Sequence, residues 1–189
     1  MMPVQPRLLD HPFYQAWTRG EVSASTLASY HRAYDAFIQR IPSWWQAALD
    51  GAGDASLQGR TIVREEESHI PLWEHWGQTL PAAQGTASLQ PVIDAFDALS
   101  PAALLGALQS FEIQQPEVAR TKRDGLLQHY GVTADLLRYF DEHEKEEKHI
   151  RFGTRLAQRV DEEEFAKGFT LGAELVYHSL DQFVGQHTC

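Results

Sequence analysis

Glycine and proline cut this chain into segments whose apolar residues recur at helical spacing. The breaks fall at Gly20, Pro42, Gly51 and Gly53, Pro81 to Gly85, Pro91, Pro101 and Gly131. Ser23 is placed to cap a helix carrying Leu27, Tyr30, Tyr34, Phe37, Ile38 and Ile41, which Pro42 is expected to end. Asp54 is the expected cap of a long helix with Leu57, Ile62, His69, Trp73 and Trp76, bent by Pro71. Ser100 followed by Pro101 is a cap with proline in the first turn, opening the helix of Leu104, Leu105, Leu108, Phe111 and Val118. Thr133 caps the next, through Leu136, Leu137 and Phe140, and a last helix is expected from about Asp161 to Phe183. Val, Ile and Thr form no alternating runs, so no sheet is expected. A chain of 189 residues, 43% of them hydrophobic, can bury one substantial core. The expected architecture is therefore all-α, a single-domain bundle of about seven helices over residues 1–189.

Charge and cysteine usage narrow the function classes. A net charge of −10 without a basic patch argues against nucleic acid, whose phosphates the protein would repel. The single cysteine, Cys189, leaves no disulfide framework, no CxxC zinc site and no buried thiol nucleophile. No apolar run approaches the roughly 20 residues that span a bilayer. The opening Met1-Met2-Pro3-Val4-Gln5-Pro6 lacks a charged region followed by an apolar one. The expectation is a cytoplasmic enzyme or binding protein with neither nucleic-acid nor membrane partners.

Three stretches concentrate metal-ligand chemistry: Glu65-Glu66-Glu67-Ser68-His69, Glu112, and His143-Glu144-Lys145-Glu146-Glu147-Lys148-His149. Each charge run alone reads as a solvated helix face. Glu112 is harder to dismiss, because it follows an apolar stretch where a lone carboxylate is expensive to bury. Pro116, four residues later, cannot donate to the Glu112 carbonyl, so the helix should kink there. A carboxylate bridging two ions would explain both features. Glu65 or Glu66 with His69, Glu112, His143, Glu146 and His149 would supply three carboxylates and three imidazoles, a mix that suits paired iron or manganese ions in a helical core. Zinc fits less well, since a closed tetrahedral site needs fewer oxygen ligands. Helical spacing from His143 points to Glu147, whereas counting back from His149 points to Glu146; a bulged turn would reconcile the two.

At these residues the chain resembles the CADD-like proteins, the family of the chlamydia protein associating with death domains, within the haem-oxygenase-like diiron oxidases. His11-Pro12-Phe13-Tyr14, Trp17-Thr18-Arg19-Gly20-Glu21 and Tyr30 to Tyr34 resemble an opening shared with TenA-type thiaminases and PqqC-type proteins. More specific are Glu65 and Glu66 before His69-Ile70-Pro71-Leu72-Trp73, then Phe111-Glu112 with Gln114, Pro116, Arg120 and Lys122, then Tyr139-Phe140 with Glu142, His143 and His149. Phe111 departs from the pattern, since the family more often has tyrosine beside this glutamate.

The resemblance implies a haem-oxygenase-like bundle without haem, holding two metal ions, Fe/Fe or Fe/Mn, with O2 as co-substrate. It implies Glu65, His69, Glu112, His143, a glutamate of the pair Glu146/Glu147 and His149 as metal ligands, with Glu146 preferred. It further implies formation of para-aminobenzoate for folate biosynthesis from the protein's own side chains: Tyr14 as the consumed ring, Tyr30 assisting it, Lys122 as amine donor. A homodimer is also implied. Taken alone, Tyr14 reads as a core tyrosine and Lys122 as a surface residue about 15 Å of helix beyond Glu112. Two alternatives remain: a diiron oxidase of this fold acting on an external small molecule, and a metal-free small-molecule-binding protein of the TenA/PqqC kind. A TenA-type activity needs a cysteine nucleophile, and a PqqC-type oxidase would leave the carboxylates and histidines without a role.

Overall fold

The computed structural model describes residues 4–185, and within them every regular element is helical. Cys189 and the stretch Met1 to Pro3 lie outside the described residues. The α-helical segments are α1 (Pro12–Thr18), α2 (Ala24–Gly51), α3 (Leu57–Gly77), α4 (Gln90–Asp97), α5 (Pro101–Glu112), α6 (Gln115–His129), α7 (Arg138–His143), α8 (Glu147–Leu156) and α9 (Glu162–Ser179). Only two residues separate α5 from α6 and only three separate α7 from α8. Taking each of those pairs as one interrupted helix leaves the expected seven.

Several starts follow the capping logic. The side chains of Ser23, Ser100 and Asp161 accept from the backbone N–H groups of Thr26, Ala103 and Glu164, satisfying donors that a helix start otherwise strands. Other boundaries differ from expectation. Pro42 lies inside α2 instead of ending it. Beyond it Trp44, Trp45, Ala48 and Leu49 continue the buried stripe, so burial of two indoles outweighs the one backbone bond that proline removes. Ser56, not Asp54, caps α3, because the Asp54 carboxylate is taken by the Ser56 N–H and by Arg159. As expected, α3 continues past Pro71, running on to Gly77. Thr133 precedes a single 3-10 turn, Ala134–Leu137, rather than the α-helix itself.

The core is built from rings. Phe37 on α2 meets Trp44, Phe96 and Phe111 edge-on at centroid distances of 5.1 to 5.5 Å, the offset that aromatic quadrupoles favour. α5 and α9 pack by a different device. A Cβ on Gly106 would overlap the Phe165 carbonyl oxygen, and one on Gly168 would overlap that of Ala103, so the two backbones touch where side chains are missing. This seam holds α5, and with it Glu112 at its C-terminal end. Gly168→Ala is expected to cost about 3 kcal/mol, because the opposing atom is backbone and cannot rotate away. A denaturant midpoint within the error of wild type would show that the helices separate freely.

Candidate metal centre

Four segments aim their side chains at one buried point. Glu66 and His69 are one turn apart on the inner face of α3, and Glu112 ends α5. His143 closes α7, Glu146 lies in the break, and His149 is in the first turn of α8. All six are buried, none more than 7% exposed. The break accounts for the awkward spacing of the third cluster. The Lys145 N–H bonds to the Glu142 carbonyl in a tightened turn, and Glu146 leaves helical geometry at φ −76, ψ 24. The chain thereby rotates enough to bring His143, Glu146 and His149 onto one side.

Of the six expected ligands, Glu65 alone falls outside this cluster. It lies at the rim, its side chain 28% exposed, bonded to Lys148 and to Nε2 of His149, while Glu66 points inward. The sequence does carry the deciding signal. Glu66 to His69 and Glu146 to His149 share the Glu-x-x-His spacing that presents two ligands from one helix turn in carboxylate-bridged dinuclear bundles. The spacing from Glu65 to His69 does not match it.

The geometry fits a pair of ions. Glu66, His69, His143 and Glu146 form one group of ligand atoms lying within 4.8 Å of one another, and Glu66, Glu112, Glu146 and His149 form a second. Glu66 and Glu146 belong to both, whereas Glu112, expected to bridge, belongs to the second alone. Nδ1 of His69 is 3.6 Å from Oε2 of Glu66 and 3.6 Å from Oε1 of Glu146. Nε2 of His143 is 3.7 Å from Oε1 of Glu146, and Nδ1 of His149 is 2.9 Å from Oε1 of Glu66. Despite this closeness Glu66 Oε1, His69 Nδ1, Glu112 Oε2, both oxygens of Glu146 and His149 Nδ1 make no aligned hydrogen bond. So many stranded buried atoms would be costly. Ligands about 2 Å from a shared ion stand roughly 3 to 3.5 Å from each other, so a common ion gives each a partner.

Electrostatics point the same way. Burial, then the neighbouring charge of Glu66, pushes the Glu112 carboxyl up to about 8. Burial and the charges of Glu112 and Glu66 push Glu146 well up too. Glu66 is held at about 2: burial opposes this, but the closeness of the His149 and His69 rings outweighs it. His149 rises to about 9 against its own burial, through Glu66, Glu112 and Glu65. His143 falls to about 3 through burial beside His69. Without a cation the three inner carboxylates cannot all ionise. Divalent ions would let them.

Beside this cluster lies a second buried constellation. The hydroxyls of Tyr14 on α1 and Tyr30 on α2 are 3.3 Å apart. Nζ of Lys122 lies 5.4 Å from the Tyr14 ring centroid and 5.2 Å from that of Tyr30. Lys122 is 6% exposed, not the surface residue its helical position suggests. The two-residue break before α6 lets that helix pack on α1, where Trp17 donates to the Lys122 carbonyl and Gly125 leaves room for the indole. Tyr139 connects the two constellations: its ring is 4.1 Å from that of His143 and 5.0 Å from that of Trp73, which in turn is 6.2 Å from Tyr30. Trp45 was likewise not foreseen as part of the site; its indole N–H donates to Oε1 of Glu112 at 3.2 Å and leaves Oε2 free. Only the fold brings α2 against the end of α5, so no local pattern announces that contact.

No helix among the described residues is long and apolar enough to cross a membrane. No family model matches the chain. Among curated proteins it is 28% identical to a 4-aminobenzoate synthase of Chlamydia muridarum (strain MoPn / Nigg), over 96% of this chain and 86% of that protein. It is 27% identical to a 4-aminobenzoate synthase of Chlamydia trachomatis serovar D, over 96% and 88% of the two chains. A protein of the same name from Nitrosomonas europaea is 27% identical over 72% of this chain and 67% of its own. The two chlamydial relatives bearing that name thus match nearly the whole length of this chain.

Proposed function

We propose that this protein forms 4-aminobenzoate from its own side chains, taking the ring from Tyr14 and the nitrogen from Lys122, in a haem-oxygenase-like bundle. Its metal centre is an Fe/Fe or Fe/Mn pair held by Glu66, His69, Glu112, His143, Glu146 and His149. The observation that carries this reading is the placement of Lys122. An amine sealed among aromatic rings, with no carboxylate in ion-pair range among the described residues, is costly unless its reactivity is used. The names of the relatives supply the product.

The product is a benzene ring with an amine para to a carboxylate; from Tyr14 this requires the ring C–O bond to give way to a bond to the Lys122 nitrogen, whose Cε–Nζ bond breaks, and the Cα–Cβ bond to cleave with Cβ oxidised to the carboxylate, O2 being the oxidant. Bound at the carboxylates and imidazoles, the metal pair supplies oxidation of that ring by O2. The remaining work falls to side chains. Burial lowers the Lys122 amine to about 7, so that near neutral pH a large fraction keeps its lone pair. Burial also raises the Tyr14 and Tyr30 phenols well above their ordinary range, keeping both protonated, and Tyr30 steadies the Tyr14 hydroxyl. Phe13 stacks on Tyr30 at 5.1 Å, and Trp17 lies 5.7 Å from it, so the pocket wall excludes water.

Protein labelled isotopically in its tyrosine rings and lysine side-chain nitrogens, then supplied with iron, manganese and O2, is expected to release 4-aminobenzoate carrying both labels. The yield should not exceed a single equivalent per chain, and Tyr14→Phe should release none. Unlabelled product, or repeated turnover on an added small molecule, would instead establish an external substrate.

A further inference from the structure

We infer that Glu65 is a positioning residue for His149 rather than an ion ligand: it accepts the Nε2–H and so commits Nδ1 to the buried cluster. The inference rests on the metal-centre reading above and adds a role to a residue outside both ligand groups. His149 is wholly buried, and its two ring nitrogens face different partners. Nε2 meets Oε2 of Glu65 at 3.0 Å, while Nδ1 faces Oε1 of Glu66 at 2.9 Å and Oε1 of Glu146 at 3.7 Å. A neutral imidazole carries its proton on one nitrogen alone, so an acceptor fixed at Nε2 leaves the Nδ1 lone pair for an ion.

The other oxygen of Glu65 is held by the Lys148 ammonium, whose side chain is 60% exposed. Lys148 thus occupies the second oxygen of Glu65 and limits its rotation. A rim position supports the same role. Glu65 lines a cavity of about 580 Å³ that also touches His69, Glu146 and His149, so it stands between the cluster and solvent. His143 repeats the device with backbone: Nδ1 bonds to the Tyr139 carbonyl at 2.7 Å and Nε2 turns toward Glu146. Two of the three imidazoles therefore have the rear nitrogen tied and the front nitrogen presented.

Co(II) titration of the full chain tests this, because its visible absorption reports the ligand set independently of activity. Glu65→Ala is expected to bind as many Co(II) ions as wild type, with unchanged band positions, at an affinity about 10 to 100-fold weaker. Glu65→Gln, whose amide oxygen still accepts the Nε2–H, should recover to within about threefold of wild type. Glu66→Ala should lose at least one ion. Loss of an ion or a shifted spectrum in Glu65→Ala would make Glu65 a ligand and overturn the inference. Unchanged affinity in that variant, or failure of Glu65→Gln to recover, would overturn it as well. A wild-type chain that takes up no Co(II) would instead remove the metal centre itself.

Discussion

Metal-free protein is expected to lose on the order of 3 kcal/mol of unfolding free energy between about pH 6 and about pH 8, and bound Fe(II) or Mn(II) should abolish the loss. Glu112 titrates at about 8 in the fold and near 4.5 when unfolded. Across this window the folded chain keeps a proton that the unfolded chain has released, so rising pH favours unfolding. Glu146, also raised, acts in the same direction. His149, raised to about 9, contributes stability that is complete below its ordinary 6.5 and declines as pH climbs through 9. Lys122 opposes them: lowered to about 7, its penalty is recovered as pH rises from 7 toward 10.5, so only the first part of that recovery falls in the window. His143, lowered to about 3, costs stability mainly below 6.5, and the Glu66 contribution is already complete above 4.5. With cations bound, the carboxylates stay ionised throughout and their proton linkage disappears. Urea midpoints measured across pH with chelator and with Mn(II) check this. A flat or rising profile in chelator would mean that the inner carboxylates do not share a site.

This profile depends on Glu66 being inside and Glu65 outside, a distinction at the limit of what local pattern conveys. Consecutive glutamates on a helix differ by about 100° of rotation, and burial of one face chooses between them. The face of α3 was legible from Ile62, His69, Trp73 and Trp76, which are all buried. Glu66 shares that stripe, and its Glu-x-x-His spacing matches the one ending at His149. Helix starts at Ser23, Ser100 and Asp161 were legible because a capping side chain acts within three residues. Pro42 misleads for the converse reason: whether a helix survives a proline depends on what the next two turns bury, and the indoles of Trp44 and Trp45 find their partners on other helices. Lys122 shows the same limit. Its distance along the chain from Glu112 says nothing about α1, which supplies Tyr14 and the indole that anchors the Lys122 carbonyl. Chemistry carried within one helix turn was readable, and chemistry assembled between helices was not.

Lys122→Met is expected to end 4-aminobenzoate formation while making the protein more stable. The two side chains have similar length, and methionine is uncharged and adaptable in a core. In the wild type the ammonium is buried against the faces of Tyr14 and Tyr30, with no carboxylate in ion-pair range among the described residues. Cation–π attraction offsets only part of the lost hydration, and burial lowers the amine to about 7. Removing that penalty should raise the unfolding free energy by about 1 to 3 kcal/mol. Removing the amine should lower product by at least about a thousandfold, because the nitrogen of 4-aminobenzoate then has no donor in the pocket. Lys122→Arg separates charge from nucleophilicity: the guanidinium stays protonated and needs more space, so that variant should lose both product and stability. Neither change touches the carboxylates and imidazoles, so Co(II) stoichiometry should remain that of wild type in the methionine variant. Melting curves with product assays decide the case: retained product in Lys122→Met would remove the amine donor, and lost stability would mean that the rings need the ammonium to pack.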